Sequence, residues 1–102
     1  MAYKAIIWGC GREYSTFFES IHKEVFAGRL EIIGITSANT IYKSIDGYPF
    51  IEKEDLKNID YDFIIVAVKN DLPDIYHEGE LLGINRSKFI RADVFSIDGL
   101  SN

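Results

Sequence analysis

Two glycines flank Cys10 at the point where an apolar run changes into a helical pattern, and this part of the sequence is best suited to chemistry. In the stretch IIWGCGREYSTFF, residues 6–18, the apolar run and the helical pattern are separated by Gly9, Cys10, Gly11 and Arg12. A strand, a Gly-x-Gly turn and a helix form the local plan of a phosphate-binding turn, in which backbone amides at the start of the helix meet the anion. The pattern is compatible with two interpretations: phosphate binding at this turn, or glycines that only shape a strand-to-helix turn and bind no ligand.

The third position of the dinucleotide-binding fingerprint departs from that pattern. Gly9 and Gly11 match the first two glycines, but Tyr14 stands where a third would let the helix pack close to the sheet. We therefore expect Tyr14 to hold the helix further from the strand. In the first helical turn Glu13 would repel a phosphate and Arg12 would attract one, so these two side chains act in opposite directions.

The end of the second predicted strand supplies hydroxyl groups and no carboxylate. Thr36 and Ser37 stand at this exit. An NAD site has an acidic residue roughly 20 residues beyond the glycine turn, where it holds the ribose hydroxyls. Hydroxyl side chains are compatible with NADP or another nucleotide, although no arginine stands there for a 2′-phosphate. The identity of the nucleotide therefore stays open.

Cys10 offers a second kind of chemistry. Phosphate-loop phosphatases and phosphocysteine carriers of the sugar phosphotransferase system place a nucleophilic cysteine at the end of the first strand, and its thiolate needs nearby amides or an arginine. A phosphatase loop would need an arginine where Thr16 stands, and Glu13 would be unfavourable in a carrier loop. A phosphocysteine carrier acting through Cys10 remains an alternative function.

The remaining polar residues indicate no catalytic or metal site. We expect His22 on the polar side of the first helix and His77 in a later helix, with no cysteine or carboxylate at ligand spacing beside them. No tyrosine is followed by lysine four residues later, so the acid of a short-chain dehydrogenase is missing. Any catalysis is therefore expected in another domain.

Composition limits the classes of partner. The chain has 102 residues, a net charge of −5 and one cysteine. An acidic protein with scattered basic residues does not suit nucleic acid, and no apolar run is long enough to cross a membrane. A lone cysteine fits a reducing cytoplasm, where we expect the protein to act.

Apolar periodicity predicts alternating strands and helices. Strands are predicted over 4–8, 30–36 and 61–68, with a short edge strand over 48–51 and a last strand over 87–95, and helices are predicted over 14–25, 52–58 and 70–82. This order predicts the α/β class, as a small Rossmann-like three-layer domain with a mostly parallel sheet of about four or five strands. Residues 1–95 are expected to form one nucleotide-binding module. Residues 96–102 read as a tail or the start of a linker in a fragment of a longer protein.

Four segments carry a resemblance to a known family: KAIIWGCG, EIIGIT, IDGYPFIEKEDLKNIDYDFIIVAV and SKFIRADVF. Together they resemble the CoA-binding-like, NAD(P)-binding Rossmann-like module at the N-terminus of bacterial polysaccharide-biosynthesis and nucleotide-sugar-modifying proteins. The resemblance implies binding of a nucleotide or nucleotide sugar, with NAD(P) or a UDP-sugar as the candidate ligand, and an attached catalytic domain or a homodimer as partner. It implies contacts at Gly9, Cys10, Gly11, Arg12, Thr36, Ser37, Ala67 and Val68. A competing interpretation is an interaction or dimerisation module that binds no ligand.

Overall fold

Four parallel strands form the centre of the domain. The computed structural model describes residues 2–37, 44–68 and 72–100. The strands of this sheet are β1 Tyr3–Trp8, β2 Leu30–Thr36, β5 Phe63–Val66 and β6 Phe89–Arg91. They pair in the order β2-β1-β5-β6, and all neighbouring strands run parallel. The predicted α/β class with a mostly parallel sheet is confirmed, and the topology is consistent with a small Rossmann-like fold.

Helices cover both faces of this sheet. The α-helices are α1 Arg12–Phe26, α2 Leu72–Leu81 and α3 Ile97–Leu100, and the two 3₁₀ helices are η1 Lys53–Asn58 and η2 Arg86–Lys88. Successive side chains of a strand point to opposite faces. In β1, Ala5 and Ile7 pack in the core under α1, whereas Ile6 and Trp8 pack in the core that contains Ile75 of α2. The two separate cores explain why β1 and β5 are apolar at nearly every position.

The segment around Asp46 forms a hairpin beside the parallel sheet. Strands β3 Ser44–Ile45 and β4 Tyr48–Pro49 pair antiparallel around a turn in which Asp46 has φ 52° and Gly47 has φ 84°. Positive φ at both central positions is the geometry of a tight hairpin turn. The edge strand predicted over 48–51 is therefore shorter than expected, because beyond Pro49 only Phe50 bridges to Ile35 of β2.

The last two predicted strands are also shorter in the structure. The strand predicted over 61–68 has ladder pairing only from Phe63 to Val66. Of the strand predicted over 87–95 only Phe89–Arg91 pairs, because Ser87 and Lys88 lie in η2 and residues 92–94 form a turn. The N-cap of α2 expected at Asn70 or Asp71 lies outside the described residues, while Pro73 stands in the first turn as predicted.

Residues 96–100, in the segment where the sequence indicated a tail, include the short helix α3, which packs against the domain. Ile97 in α3 is buried in the core that contains α1. The carboxylate of Asp98 accepts a hydrogen bond of 2.9 Å from Arg29, which also pairs with Glu24 of α1. Burial of Ile97 gives this short helix an apolar contact with the same core as the sheet.

Candidate functional site

The glycine turn lies against the end of strand β5. Gly9 has φ 115°, and its amide donates a 2.8 Å hydrogen bond to the carbonyl oxygen of Thr36. A Cβ at Gly9 would lie 2.5 Å from the carbonyl oxygen of Ala67 and 2.9 Å from Cγ1 of Val68. Only glycine fits this conformation and this approach without displacing a neighbour.

Gly11 has different surroundings. It is the N-cap residue of α1, with φ −93° and ψ −143°, and a Cβ there would meet no atom within 4 Å. Gly11 and Arg12 are both exposed, so the first turn of α1 opens to solvent. The amides of a first helical turn have no partner within their own helix and can meet an anion. The space above Gly11 is therefore accessible to a ligand.

Tyr14, at the third position of the fingerprint, is buried at the start of α1. Its hydroxyl donates a 2.7 Å hydrogen bond to Oδ2 of Asp46, and its ring packs edge-on against Phe18. Burial, followed by this hydrogen bond, raises the pKa of Tyr14 above its usual value, because both favour the neutral phenol. Tyr14 thus links the first turn of α1 to the hairpin, a role that a glycine could not have.

A cleft opens at the carboxyl edge of the sheet beside the first turns of α1. Its volume is about 290 Å³, and it is lined by Glu13, Phe17, Val66, Ala67, Val68, Leu72, Arg91, Ala92 and Asp93. Ligands of open α/β sheets bind outside the carboxyl ends of the strands, where these residues lie. Six of the nine lining residues are apolar, and the charged groups are one guanidinium and two carboxylates. The arrangement suits a small ligand with an apolar face and a few polar groups.

The charged side chains of the cleft differ in their partners. Arg91, at the end of β6, donates a short hydrogen bond to Oδ2 of Asp93 two residues later. Glu13 reaches the cleft from the first turn of α1. The ion pair between Arg91 and Asp93 leaves the Glu13 carboxylate as the excess negative charge of the cleft.

The eight residues expected to contact a nucleotide fall into two groups. Ala67 and Val68, at the end of β5, line the cleft. The other six lie on the β1-α1 turn or at the end of β2 and do not line it: Gly9, Cys10, Gly11, Arg12, Thr36 and Ser37. Cys10 is half-buried and packs against the core under α1.

Thr36 has a completely buried side chain. Its Oγ1 has no hydrogen-bond partner among the residues that the structure describes. Burial of a hydroxyl without a partner costs free energy. Complete burial means that Thr36 can reach a ribose only if neighbouring groups move.

Six cleft residues were not singled out from the sequence: Phe17, Val66, Leu72, Arg91, Ala92 and Asp93. Glu13 was considered only as a group that repels phosphate. Arg91 and Asp93 could have been inferred from the sequence, because they follow the apolar residues Phe89 and Ile90 of the last strand. The carboxyl end of a parallel strand is where ligands bind. Phe17 and Leu72 have no such signal, because apolar helix positions usually serve the core.

His22 lies in the interior, and the prediction that it occupies the polar side of α1 is wrong. It is 6% exposed, stacks on Phe18 at 3.8 Å between ring centroids, and lies with Nδ1 2.9 Å from the Phe18 carbonyl oxygen. Its Nε2 lies 3.0 Å from the hydroxyl of Tyr48. Since a carbonyl oxygen only accepts hydrogen bonds, Nδ1 of His22 is the donor to Phe18. His22 therefore joins α1 to the hairpin.

No group of three or more side chains that could hold a metal ion is found among the described residues. The part of the chain with described coordinates also contains no helix long and apolar enough to cross a membrane.

A family model matches most of the chain. It is described as C2185-like, N-terminal, and it covers residues 1–90. The chain belongs to this family. The resemblance to a CoA-binding-like or NAD(P)-binding module of polysaccharide-biosynthesis proteins is therefore wrong as a family assignment. A search of curated proteins found no significant match.

The four segments that carried the resemblance reflect the fold of this C2185-like, N-terminal domain and do not identify its family. KAIIWGCG and EIIGIT correspond to the paired strands β1 and β2. GYPFI covers the end of the hairpin and the bridge to β2. Any small domain with this sheet order needs apolar strands and a glycine turn at these places, so such motifs carry little information on family.

Proposed function

We propose that this domain binds a nucleotide or nucleotide sugar at the carboxyl edge of its sheet and performs no chemistry on it. The observation that supports the proposal is the cleft of about 290 Å³ beside the first turn of α1. Its apolar walls include Phe17 and Leu72, which can contact a base or a sugar ring, while the open space above Gly11 can receive a phosphate. Glu13 lines the cleft from the first turn of α1, two residues after Gly11.

The close contact between Gly9 and the end of β5 supports the same location. It holds the β1-α1 turn next to Ala67, so the turn and the cleft wall form one continuous edge. A preorganised edge costs less conformational entropy when a ligand binds. We assign binding to this edge because the turn, two strand ends and two helix starts meet there.

The test is a ligand titration of the purified domain. Thermal shift and calorimetry are measured with NAD, NADP, UDP and a UDP-sugar at millimolar concentration. A ligand that binds only the folded state stabilises it by about 2.7 kcal/mol at a hundredfold excess over its dissociation constant. We expect at least one ligand of this panel to raise the melting temperature.

Two matched variants locate the binding. Gly11→Val adds a side chain in the open space at the amino end of α1, and Ala27→Val adds bulk at its exposed carboxyl end. Gly11→Val should abolish the ligand-induced shift, whereas Ala27→Val should keep it. If no ligand of the panel stabilises the unmodified domain, the proposal is wrong and the interaction-module interpretation replaces it.

A further inference from the structure

The cleft has room for one ring system of nucleoside size. Its volume of about 290 Å³ lies at the lower limit of ligand sites, which span on the order of 300–1,000 Å³. A dinucleotide would have to continue between the ends of β1 and β5, where the sheet order reverses. Gly9 packs there against Ala67 and Val68 at distances that leave no space even for a Cβ. The volume of about 290 Å³ leaves no room inside the cleft for the second nucleoside of a dinucleotide.

The charge of the cleft disfavours a phosphate inside it. The guanidinium of Arg91 is engaged by Asp93, and Glu13 adds a second carboxylate. A phosphate beside two carboxylates and one paired cation would meet net repulsion in a partly desolvated site. An anionic ligand must hold its phosphate outside, which leaves the neutral part of the ligand for the cleft.

A carboxylate in the cleft favours a neutral ligand group that donates hydrogen bonds. An ionised carboxylate only accepts hydrogen bonds, through two oxygens, so its best neutral partner presents two neighbouring donors. Two adjacent hydroxyls on a sugar ring match that requirement, and the apolar wall at Phe17 can contact the face of the same ring or of an attached base. A purely apolar ligand would leave Glu13 desolvated without compensation.

We infer that the cleft recognises the vicinal diol of a single sugar ring, through the carboxylate of Glu13. This inference rests on the proposed function and narrows its ligand to a mononucleotide or a sugar phosphate rather than a dinucleotide. The diol belongs to a ribose in the first case and to a hexose in the second. In both cases the ring enters the cleft and the phosphate remains outside it.

The experiment compares ligands that differ in one hydroxyl. Dissociation constants are measured by calorimetry for UMP and AMP, for their 2′-deoxy counterparts, for glucose 1-phosphate and for NAD, with the unmodified domain and with Glu13→Gln and Glu19→Gln. Glu19 is an exposed carboxylate of the same helix outside the cleft, so Glu19→Gln is the matched control. Loss of a hydrogen bond to a charged group lowers affinity by about tenfold or more.

We expect a ribonucleotide to bind at least about tenfold more tightly than its deoxy counterpart, and Glu13→Gln to bring that ratio close to one, whereas Glu19→Gln leaves it unchanged. If glucose 1-phosphate binds and Glu13→Gln weakens its binding while Glu19→Gln does not, the diol belongs to a hexose. That result would also support the inference. A purely structural role of Glu13 would weaken both members of a pair equally, and that result would overturn it.

Two other results separate the inference from the proposed function. If NAD binds more tightly than every mononucleotide, or the deoxy ligands bind as well as the ribonucleotides, the inference is wrong while nucleotide binding stands. If neither these ligands nor the NADP, UDP and UDP-sugar of the wider panel bind, the proposed function is wrong and the inference with it.

Discussion

Alanine at Gly9 and at Gly11 should have very different effects, although the two glycines are separated by one residue. At Gly9 the backbone has φ 115°, and a Cβ would lie 2.5 Å from the carbonyl oxygen of Ala67. At Gly11 φ is −93° and the space is open. We expect Gly9→Ala to destabilise the domain severely and Gly11→Ala to be tolerated.

The size of the effect follows from these distances and angles. A side chain in a sparsely populated region of positive φ costs about 1–3 kcal/mol. Displacing packed neighbours costs about 1–3 kcal/mol more, and here one neighbour is a backbone carbonyl that cannot rotate away. The expected loss for Gly9→Ala is therefore about 2–6 kcal/mol, out of about 5–15 kcal/mol for a domain of this size. Gly11→Ala replaces an N-cap glycine by a poorer cap and should cost about 1 kcal/mol or less.

Urea unfolding monitored by circular dichroism measures both losses. With a slope of about 1–3 kcal/mol per molar urea, Gly9→Ala should lower the midpoint by about 1 M or more, and Gly11→Ala should lower it far less. A Gly9→Ala variant that is unfolded in water agrees with the prediction, because the loss then exceeds the stability of the domain. Equal midpoints for the two variants would refute the packing of Gly9 on the end of β5.

Gly79 and Tyr14 carry the remaining predictions. A Cβ on Gly79 would lie 2.6 Å from the Phe89 ring, whereas one on Gly99 has ordinary contacts, so Gly79→Ala should be less stable to urea than Gly99→Ala by about 1–3 kcal/mol; equal stability would contradict this packing. Burial and the hydrogen bond to Asp46 raise the pKa of Tyr14, so the folded domain holds the phenol proton more tightly than the unfolded chain does. The stability of the domain should therefore fall as the pH rises above about 10. In unfolding measured from about pH 8 to about pH 11, Tyr14→Phe should reduce that fall, and an unchanged slope would exclude the Tyr14 phenol as its origin.

The turn of the hairpin was predicted from the sequence, but its contacts with α1 were not. Asp46-Gly47 predicted a turn, and the turn is present with positive φ at both residues. What the sequence did not indicate is that Tyr14 and His22 of α1 both bond to this hairpin, at Asp46 and Tyr48. A polar residue type at a helix position predicts exposure, and His22 departs from that rule because both ring nitrogens have partners in the interior.

Only two of the residues expected at the candidate site line the cleft. The resemblance implied ligand contacts at Ala67 and Val68, which line it. It implied the same contacts at Thr36, whose side chain is completely buried. Burial of an individual side chain depends on neighbours from other segments, so the sequence could not distinguish these cases.

The order of the four parallel strands with α1 and α2, the helix end at Gly28 and the turn at Gly9 were determined by the sequence alone. They are local properties: apolar periodicity selects the element, and a glycine permits the backbone angle that ends it. Only the tertiary structure decided that Glu13 and Arg91 line one cleft and that the turn packs on the end of β5. Those contacts join residues far apart in the chain, and their distances depend on how the strands pair and how the helices pack on them.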